Sequence, residues 1–278
     1  MWLKYSSQAP VGPKFGMKLV LQLGSNSIQS TALYNNILVV FTTTGAAYII
    51  DVETMTILRS GTLIPNDGSH HNSAAFCDEF YDEDDDLPIL MLMGEQESGD
   101  NPPTVFLFRV TETNGIYDIT SIGTMYLPLH SSTFKNNAGA CNVNFWDGKL
   151  LVEYRYNNGG VNTIRLATFT MPTIGNSTSV YLTDADLLDD WEALSTNTTM
   201  QDSSIDGNTM YIGGGGGYGM TYYDLTNKQA VNTIIPKDIN SYFGEMESNF
   251  VYNKRLYMVG YNSSRSARGI WLFDVRTI

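Results

Sequence analysis

Cysteine, histidine and positive charge are scarce in this chain of 278 residues. It holds two cysteines and three histidines, and its 16 lysines and arginines face 29 aspartates and glutamates, for a net charge of −13. Two cysteines give neither a disulfide framework nor a zinc-ligand set, so we expect no metal and no other cofactor. The negative charge would repel phosphate groups, which argues against nucleic acid as a partner.

Long apolar stretches are missing too. No window reaches the ~18 apolar residues of a membrane helix, so we expect no membrane insertion. The opening MWLKYSSQAPVGPKFG lacks the apolar segment of a signal peptide. We therefore expect an extracellular protein whose leader has been removed, or one that leaves its cell by another route, such as a virion component.

Strand and turn residues are abundant. Hydrophobic residues make up 42% of the chain and aromatic residues 12%. Thr, Tyr, Val, Ile, Asn and Gly recur, and long stretches of helix formers are few. This composition is typical of a folded all-β protein, and the length allows one large domain or two ordinary ones.

One pattern repeats five times along the chain. Each unit has a small polar strand, an Asn/Asp/Gly turn, an apolar strand, a loop, and an alternating aromatic strand that ends in Asp or Thr. A unit of four strands that is repeated radially is a propeller blade. The predicted blades are about 28–62, 70–127, 138–183, 199–236 and 245–278.

The two ends of the chain complement each other. The last unit stops at GIWLFDVRTI without a fourth strand, whereas MKLVLQL (17–23) is a spare strand before the first unit. Pairing them would remove an exposed sheet edge. The sequence therefore predicts one domain, 17–278: a five-bladed β-propeller whose last blade is completed by the N-terminal strand. Residues 1–16 would form an arm that contacts other virion or surface proteins. An open sandwich or two small β domains are the alternatives.

Polar residues recur near the start of the first strand of each blade. Converging amide, hydroxyl and carboxylate groups suit the hydroxyls of a sugar, so this rim is a candidate ligand cup at one end of the axis. Small polar side chains that bridge to water in a crowded hub are the alternative. The rim residues are Gln29, Ser30, His71, Asn72, Asn142, Gln201, Asp202, Glu247 and Ser248, with Trp146 and Tyr218 as candidate stacking platforms.

Two conspicuous motifs give little indication of a ligand site. The run IGGGGGYG contains a formal GxGxxG, but MTYYDL follows as a strand, whereas a dinucleotide site needs a helix there. We expect a loop between two strands. The stretch CDEFYDEDDDLP has seven acids without calcium-loop spacing, so we expect a solvated loop at the end of the axis opposite the rim.

One stretch reads as helical. DADLLDDWEAL (184–194) is predicted to form a short helix that packs on the junction of the third and fourth blades.

As a whole the chain resembles small β-propellers, five-bladed ones in particular. HHNSAAFCDEFYDEDDDLPILMLMG also resembles a blade of propellers from surface proteins of gut Bacteroidetes and their phages. This resemblance implies a fold and a habitat rather than an activity. The matching positions are His70 or His71, Asn72, Phe76, Tyr81, Asp86, Pro88 and Leu90.

Paired carboxylates raise the question of catalysis. Five-bladed propellers include glycosidases with axial acids, and hydrolysis needs a general acid with a base or nucleophile across the bond. Asp202 and Glu247, on neighbouring inner strands, are the candidate pair. Against this, blades one and three offer no acid at that level of their first strands.

Together these features favour non-enzymatic recognition. The propeller would bind a glycan or another cell-surface polymer at the axial cup or the upper loops. It would act within a phage tail or fibre, or as a secreted lectin-like protein. A glycoside hydrolase that uses Asp202 and Glu247 and a structural scaffold without a ligand are the alternatives.

Overall fold

Five separate sheets follow one another along the chain and close into a ring, which confirms the five-bladed β-propeller. The computed structural model describes residues 14–24, 27–43, 45–64, 71–93, 103–128, 139–158, 161–175, 178–195, 200–214, 219–234 and 243–276. Residues 1–13 of the predicted N-terminal arm therefore lie outside the described residues, and residues 14–16 belong to the closing strand rather than to an arm. Within them, no helix has the length and apolar character that a membrane crossing requires.

Each blade begins with its innermost strand. Before the first blade lies β1 (Lys14–Gln22). Blade one consists of β2 (Ile28–Tyr34), β3 (Ile37–Thr42), β4 (Ala46–Asp51) and β5 (Thr56–Thr62). Blade two contains β6 (Ser73–Phe76), β7 (Leu90–Met93), β8 (Thr104–Thr113) and β9 (Ile116–Tyr126).

The remaining blades follow the same scheme, apart from one inserted strand. Blade three is built from β10 (Gly139–Trp146), β11 (Lys149–Asn158), β12 (Val161–Thr170) and, after the inserted β13 (Ser179–Tyr181), β14 (Leu187–Ser195). Blade four has β15 (Met200–Asp206), β16 (Thr209–Gly214), β17 (Gly219–Asp224) and β18 (Gln229–Ile234). Blade five has β19 (Phe243–Tyr252), β20 (Arg255–Asn262) and β21 (Arg268–Arg276).

The core lies between neighbouring blades. The central strands β3 (ILVVFT) and β7 (LMLM) are buried along their whole length, because both of their faces are covered. Strands of this kind read as continuous apolar runs rather than as alternation. The outer strands β5 and β18 are exposed along nearly all of theirs and carry mixed polar sequences.

The ring closes where the sequence predicts it. Strand β1 pairs antiparallel with β21, with Met17 opposite Phe273 and Leu19 opposite Trp271. The amide of Leu23 then donates to the carbonyl of Arg268 at 2.8 Å. Gly269 lies under this contact, and a Cβ atom there would run into the carbonyl oxygen of Leu21. The closing strands therefore approach as closely as a glycine allows.

The helix predicted at 184–194 is wrong over most of its length. Residues Asp184–Asp186 form one 3-10 turn capped by Thr183, and the chain then continues as β14, the outer strand of blade three. Successive residues of a strand face opposite sides. Asp190 meets Arg165 of β12 at 3.0 Å, and the indole of Trp191 donates to the hydroxyl of Tyr223 in blade four at 3.0 Å. These partners on both faces override a weak helical preference.

The third blade is also bounded differently from the prediction. It was placed at 138–183, but Ser179–Tyr181 (β13) leaves it and adds a parallel fifth strand to blade two beside β9. The ring of Tyr181 stacks on that of Tyr126 with centroids 4.6 Å apart. The segment between β12 and β14 thus covers the outer edge of the neighbouring sheet, which is one way to protect an edge strand.

The acidic loop joins β6 to β7, and it is not simply the solvated loop that the sequence predicts. The carboxylate of Glu79 accepts hydrogen bonds from the amides of Ile174 and Gly175, each at 3.1 Å. Arg109 binds Asp85 through two nitrogens, at 2.9 and 2.6 Å. Two of the loop's acids therefore anchor it to the linker after β12 and to β8.

Ring closure can be tested with one glycine. The change Gly269→Ala puts a methyl group against the backbone of β1, so we expect a loss of about 1–3 kcal/mol in the free energy of unfolding. Urea denaturation followed by fluorescence measures it. The control is Gly16→Ala in the same strand pair, where a Cβ atom meets nothing within 4 Å. Equal stability of the two variants would contradict the closure described here.

Candidate functional site

The side chain of Asp202 connects several blades across the centre of the ring. Asp202 is fully buried, with 0% of its surface exposed. Oδ2 accepts from the amide of Thr31 in blade one at 3.0 Å and from the hydroxyl of Ser248 in blade five at 2.7 Å. Oδ1 accepts from the amide of Ser203 at 3.0 Å, and the hydroxyl of Ser73 in blade two also bonds to this carboxyl. One side chain of blade four thus holds residues from three other blades.

Further hydrogen bonds join the inner strands of neighbouring blades. The hydroxyls of Thr31 and Ser248 lie 2.6 Å apart. Between blades two and three, the Ser73 hydroxyl accepts from the amide of Val143 at 2.9 Å. Between blades three and four, the Asn142 amide donates to the carbonyl of Gln201 at 2.7 Å. Much of the polarity predicted for a ligand cup is therefore used to hold the hub together.

A β-bulge recurs at the same level of the inner strands. A bulge bends the strand and redirects the side chain that follows it. In each of these inner strands the bulge precedes or includes the residues that form the hub. The bulges therefore turn the side chains of these residues inward. The bulges lie between Ile28 and Ser30, Gly139 and Cys141, Met200 and Ser203, and Met246 and Ser248.

Three buried carboxyls near the hub have raised pKa values. Burial raises the pKa of Asp202 to about 8, against the hydrogen bonds from Thr31 and Ser248, which lower it. Burial and the neighbouring charge of Glu245 raise the pKa of Glu247 to about 8. Burial raises the pKa of Glu153 to about 7. All three shifts favour the protonated form, because an ionised carboxyl loses its hydration here.

Glu153 was missed by sequence reasoning. It lies on β11, opposite Asn142 of β10, and its Oε2 accepts from the Asn142 side-chain amide at 3.2 Å. The candidate acids were those on the first strand of each blade, and the first strand of blade three contains no acid. The available signal was an acid in the run LLVEYRY, whose strand is buried through Tyr154.

The structure divides the predicted ligand contacts into three groups. Tyr218 lies outside the described residues. Half-buried are Gln29, Asn72, Gln201 and Trp146. Buried are Ser30, His71, Asn142, Asp202, Glu247 and Ser248, at 0–7% exposure.

Trp146 does not join the rim. It lies four residues beyond Asn142 on the same strand, at its turn end, which is roughly 13 Å away at about 3.3 Å per residue. Its indole donates to Asn208 at 3.2 Å. The cup at the rim stays a prediction, and its accessible side chains would be Gln29, Asn72 and Gln201.

Asp202 is poorly placed for catalysis. A general acid must come within hydrogen-bond reach of the atom it protonates. A fully buried carboxyl that already accepts hydrogen bonds from Thr31, Ser203 and Ser248 has no surface left for a substrate. Its position fits a role in holding the blades together better than a role in hydrolysis.

The axis contains a cavity at the other end of the inner strands. Its volume is about 120 Å³, and all five inner strands line it with uncharged residues. Its polar lining consists of Thr31, Asn144, Ser203, Ser204 and Asn249. The half-buried apolar residues that follow toward the turns are Leu33, Ala75, Phe145, Ile205 and Val251. We call the first set the floor and the second set the collar.

The cavity continues into a groove between the turns of blades five and one, which share Leu33, Ile205 and Val251 as lining. This turn groove has a volume of about 660 Å³. The ring of Tyr34 is held against Phe76, with centroids 5.9 Å apart. The turn groove is further lined by Tyr34, Asn35, Asn36, Glu53, Tyr252 and Asn253.

Metal and thiol chemistry find little support in the described part of the chain. No three His, Cys, Asp or Glu side chains in it lie close enough together to hold a metal ion. Cys77 is buried in the core, and burial raises the pKa of its thiol to about 12. A thiol of this kind is a weak nucleophile at neutral pH.

Comparison with solved structures supports the fold. Glutaminyl cyclase from Myxococcus xanthus matches with a TM-score of 0.56 at 10% identity, over 95% of this chain and 99% of that one. A protein from Thermus thermophilus, described as an oxidoreductase (glucose dehydrogenase), matches with 0.53 at 9% identity, over 94% and 100%. At these identities the likeness shows the propeller fold alone. Neither a protein-family model nor a curated protein matches the sequence, so the resemblance to Bacteroidetes and phage propellers stays a prediction.

The buried carboxyls make stability depend on pH. Their folded pKa values lie above the unfolded values, so the folded state binds more protons between about pH 4 and pH 8. We expect the free energy of unfolding, measured in urea, to fall as pH rises through this window. The change Asp202→Asn should weaken this dependence. It should also cost about 1–3 kcal/mol, because an amide cannot accept from all the donors that face Asp202.

The matched control is Asp206→Asn, at the exposed end of the same strand. It should keep both the stability and the pH dependence of the wild-type protein. If wild-type stability instead rises between pH 5 and pH 8, the proposed protonation of the hub is wrong.

Proposed function

We propose that this protein is a non-enzymatic recognition module that binds a glycan at the turn end of the propeller axis. The observation that carries the proposal is the turn groove, where two tyrosines and three asparagines lie beside an uncharged axial cavity. The predicted rim is the weaker candidate, since most of its side chains are buried in hydrogen bonds between blades.

The chemistry of the turn groove suits a sugar. Aromatic side chains offer a broad apolar face with a polar tip, and an asparagine side chain can both donate and accept hydrogen bonds. Tyr34 and Tyr252 supply the aromatic faces. The hydrogen-bonding side chains are those of Asn35, Asn36 and Asn253. The groove's volume of about 660 Å³ lies within the usual range for ligand sites. Glu53 is the one charged residue in this lining, so a largely neutral polymer is the expected ligand.

The groove is held in shape before a ligand arrives. Asn35 and Asn253 adopt left-handed backbone conformations, with φ of 53° and 50°, as tight turns between strands require. Tyr34 packs on Phe76 and Phe80, and Tyr252 packs against the core between blades five and one. Ordering these groups in advance reduces the entropy that binding costs.

The setting we propose is extracellular or on a virion. An acidic surface rich in tyrosine and asparagine suits a phage tail or fibre component, or a secreted lectin-like protein, that meets cell-surface polymers. The N-terminal arm precedes the closing strand β1, and we propose it as the segment that joins the propeller to other virion or surface proteins.

A glycan panel tests the proposal. Wild-type protein is expected to bind at least one neutral oligosaccharide, measured by array and then by calorimetry. The change Tyr252→Ala should weaken binding about tenfold or more, since truncating an aromatic contact at a binding centre commonly costs over about 1 kcal/mol. The control is Tyr181→Ala, which removes a 67% exposed tyrosine on the outer edge of blade two.

Each other result has a clear meaning. Absence of binding to every glycan would favour a structural scaffold and contradict the proposal. Release of reducing sugar by wild-type protein would favour a glycoside hydrolase. Thermal denaturation should show that both tyrosine variants are folded. If both then lose the same amount of affinity, the binding site lies elsewhere.

A further inference from the structure

We infer that the axial cavity is a specificity pocket for the primary hydroxyl arm of a hexose, the –CH₂OH group that projects from a pyranose ring. The inference rests on the proposed function, because the rest of the sugar would lie in the adjoining turn groove. It adds a sugar class to that proposal: hexoses with a free primary hydroxyl, as opposed to pentoses and 6-deoxy sugars.

The size of the cavity limits what can enter. Its volume of about 120 Å³ is somewhat smaller than that of a cavity of roughly 150 Å³, which accommodates a bare six-membered ring such as benzene. A pyranose ring with its hydroxyl substituents is larger than benzene, whereas a two-atom arm fits with room for ordered water. The continuous lining through Leu33, Ile205 and Val251 allows the ring to remain in the groove while one substituent enters the cavity.

The order of apolar and polar lining matches this arm. A substituent that passes the collar and ends at the floor should be apolar first and polar at its tip. A –CH₂OH group has this order, whereas an acetamido group has a methyl at its tip. Uncharged lining also disfavours an ammonium or carboxylate, which would lose its hydration without an ionic partner.

The hydrogen bonds of the floor point to a group that can donate. The Ser204 hydroxyl bonds to Oδ1 of Asn249. Both amide hydrogens of Asn249 are used, by the carbonyls of Asp202 at 3.3 Å and Tyr211 at 3.1 Å. Asn144 donates to the Ser203 hydroxyl at 2.9 Å. Most floor donors are thus already committed.

Asn144 is the floor residue whose side chain can still form further hydrogen bonds. Within the described residues its carbonyl oxygen receives no hydrogen bond, and one of its two amide hydrogens is used. A sugar hydroxyl can donate to that oxygen and accept from the second amide hydrogen at once. Asn144 is therefore the residue we assign to recognition of the primary hydroxyl.

The first test needs no mutant. Methyl glycosides of glucose, galactose and mannose are compared with their 6-deoxy counterparts by calorimetry or ligand-observed NMR. Those that bind should bind about three- to tenfold more tightly than their 6-deoxy forms, because the 6-deoxy sugars lack the hydroxyl that would form a neutral hydrogen bond with Asn144. Equal affinities would overturn the inference and leave the proposed function standing.

The second test fills the cavity. Ala75 lies in the collar on β6 and does not line the turn groove. The change Ala75→Leu should abolish the preference over the 6-deoxy sugar and retain weaker binding of both. The control is Ala230→Leu, the same change on the exposed outer strand β18, which should behave as wild type. A preference that survives in Ala75→Leu would overturn the inference, and so would failure of every glycoside and oligosaccharide to bind, which would remove the proposed function with it.

Discussion

The buried carboxyl of Asp202 is the constraint from which much of this structure follows. Five inner strands converge on the axis, and their backbone and hydroxyl groups lose water there. A buried polar group without a partner costs free energy, so the hub needs acceptors that reach across it. Asp202 supplies them to blades one, two and five at once. The surrounding serines, threonines and asparagines complete the same set of hydrogen bonds.

This use of polar side chains explains why the two ends of the axis differ. Near the start of the inner strands, bulges turn polar residues toward one another, and their donors and acceptors are satisfied within the protein. Toward the turns the same strands carry Leu33, Phe145, Ile205 and Val251, and an uncharged cavity remains. The groove beyond it keeps its tyrosines and asparagines at the surface. This difference is why we propose the turn end, where polar groups are still available, as the binding face.

The fold was readable from the sequence because its signals are repeated and local. Five similar units, a missing fourth strand after WLFDVRTI and a spare strand at MKLVLQL were sufficient to predict ring closure. The segment at 184–194 was misread because its partners, Arg165 and Tyr223, come from distant strands that no local pattern contains. Glu153 was missed for a related reason, since it reaches the hub from a second strand. Alignment of the units did identify the hub residues, but whether a polar side chain faces a ligand or another blade depends on packing between blades.

NMR amide shifts with a saturating bound oligosaccharide test the location of the binding face most directly. We expect perturbations at the turn residues 34–36 and 252–254, with little change at Gln29, Asn72 and Gln201. Perturbations at Gln29, Asn72 and Gln201 without shift changes at the turn residues would contradict the proposed binding face. They would place the ligand at the opposite end of the axis.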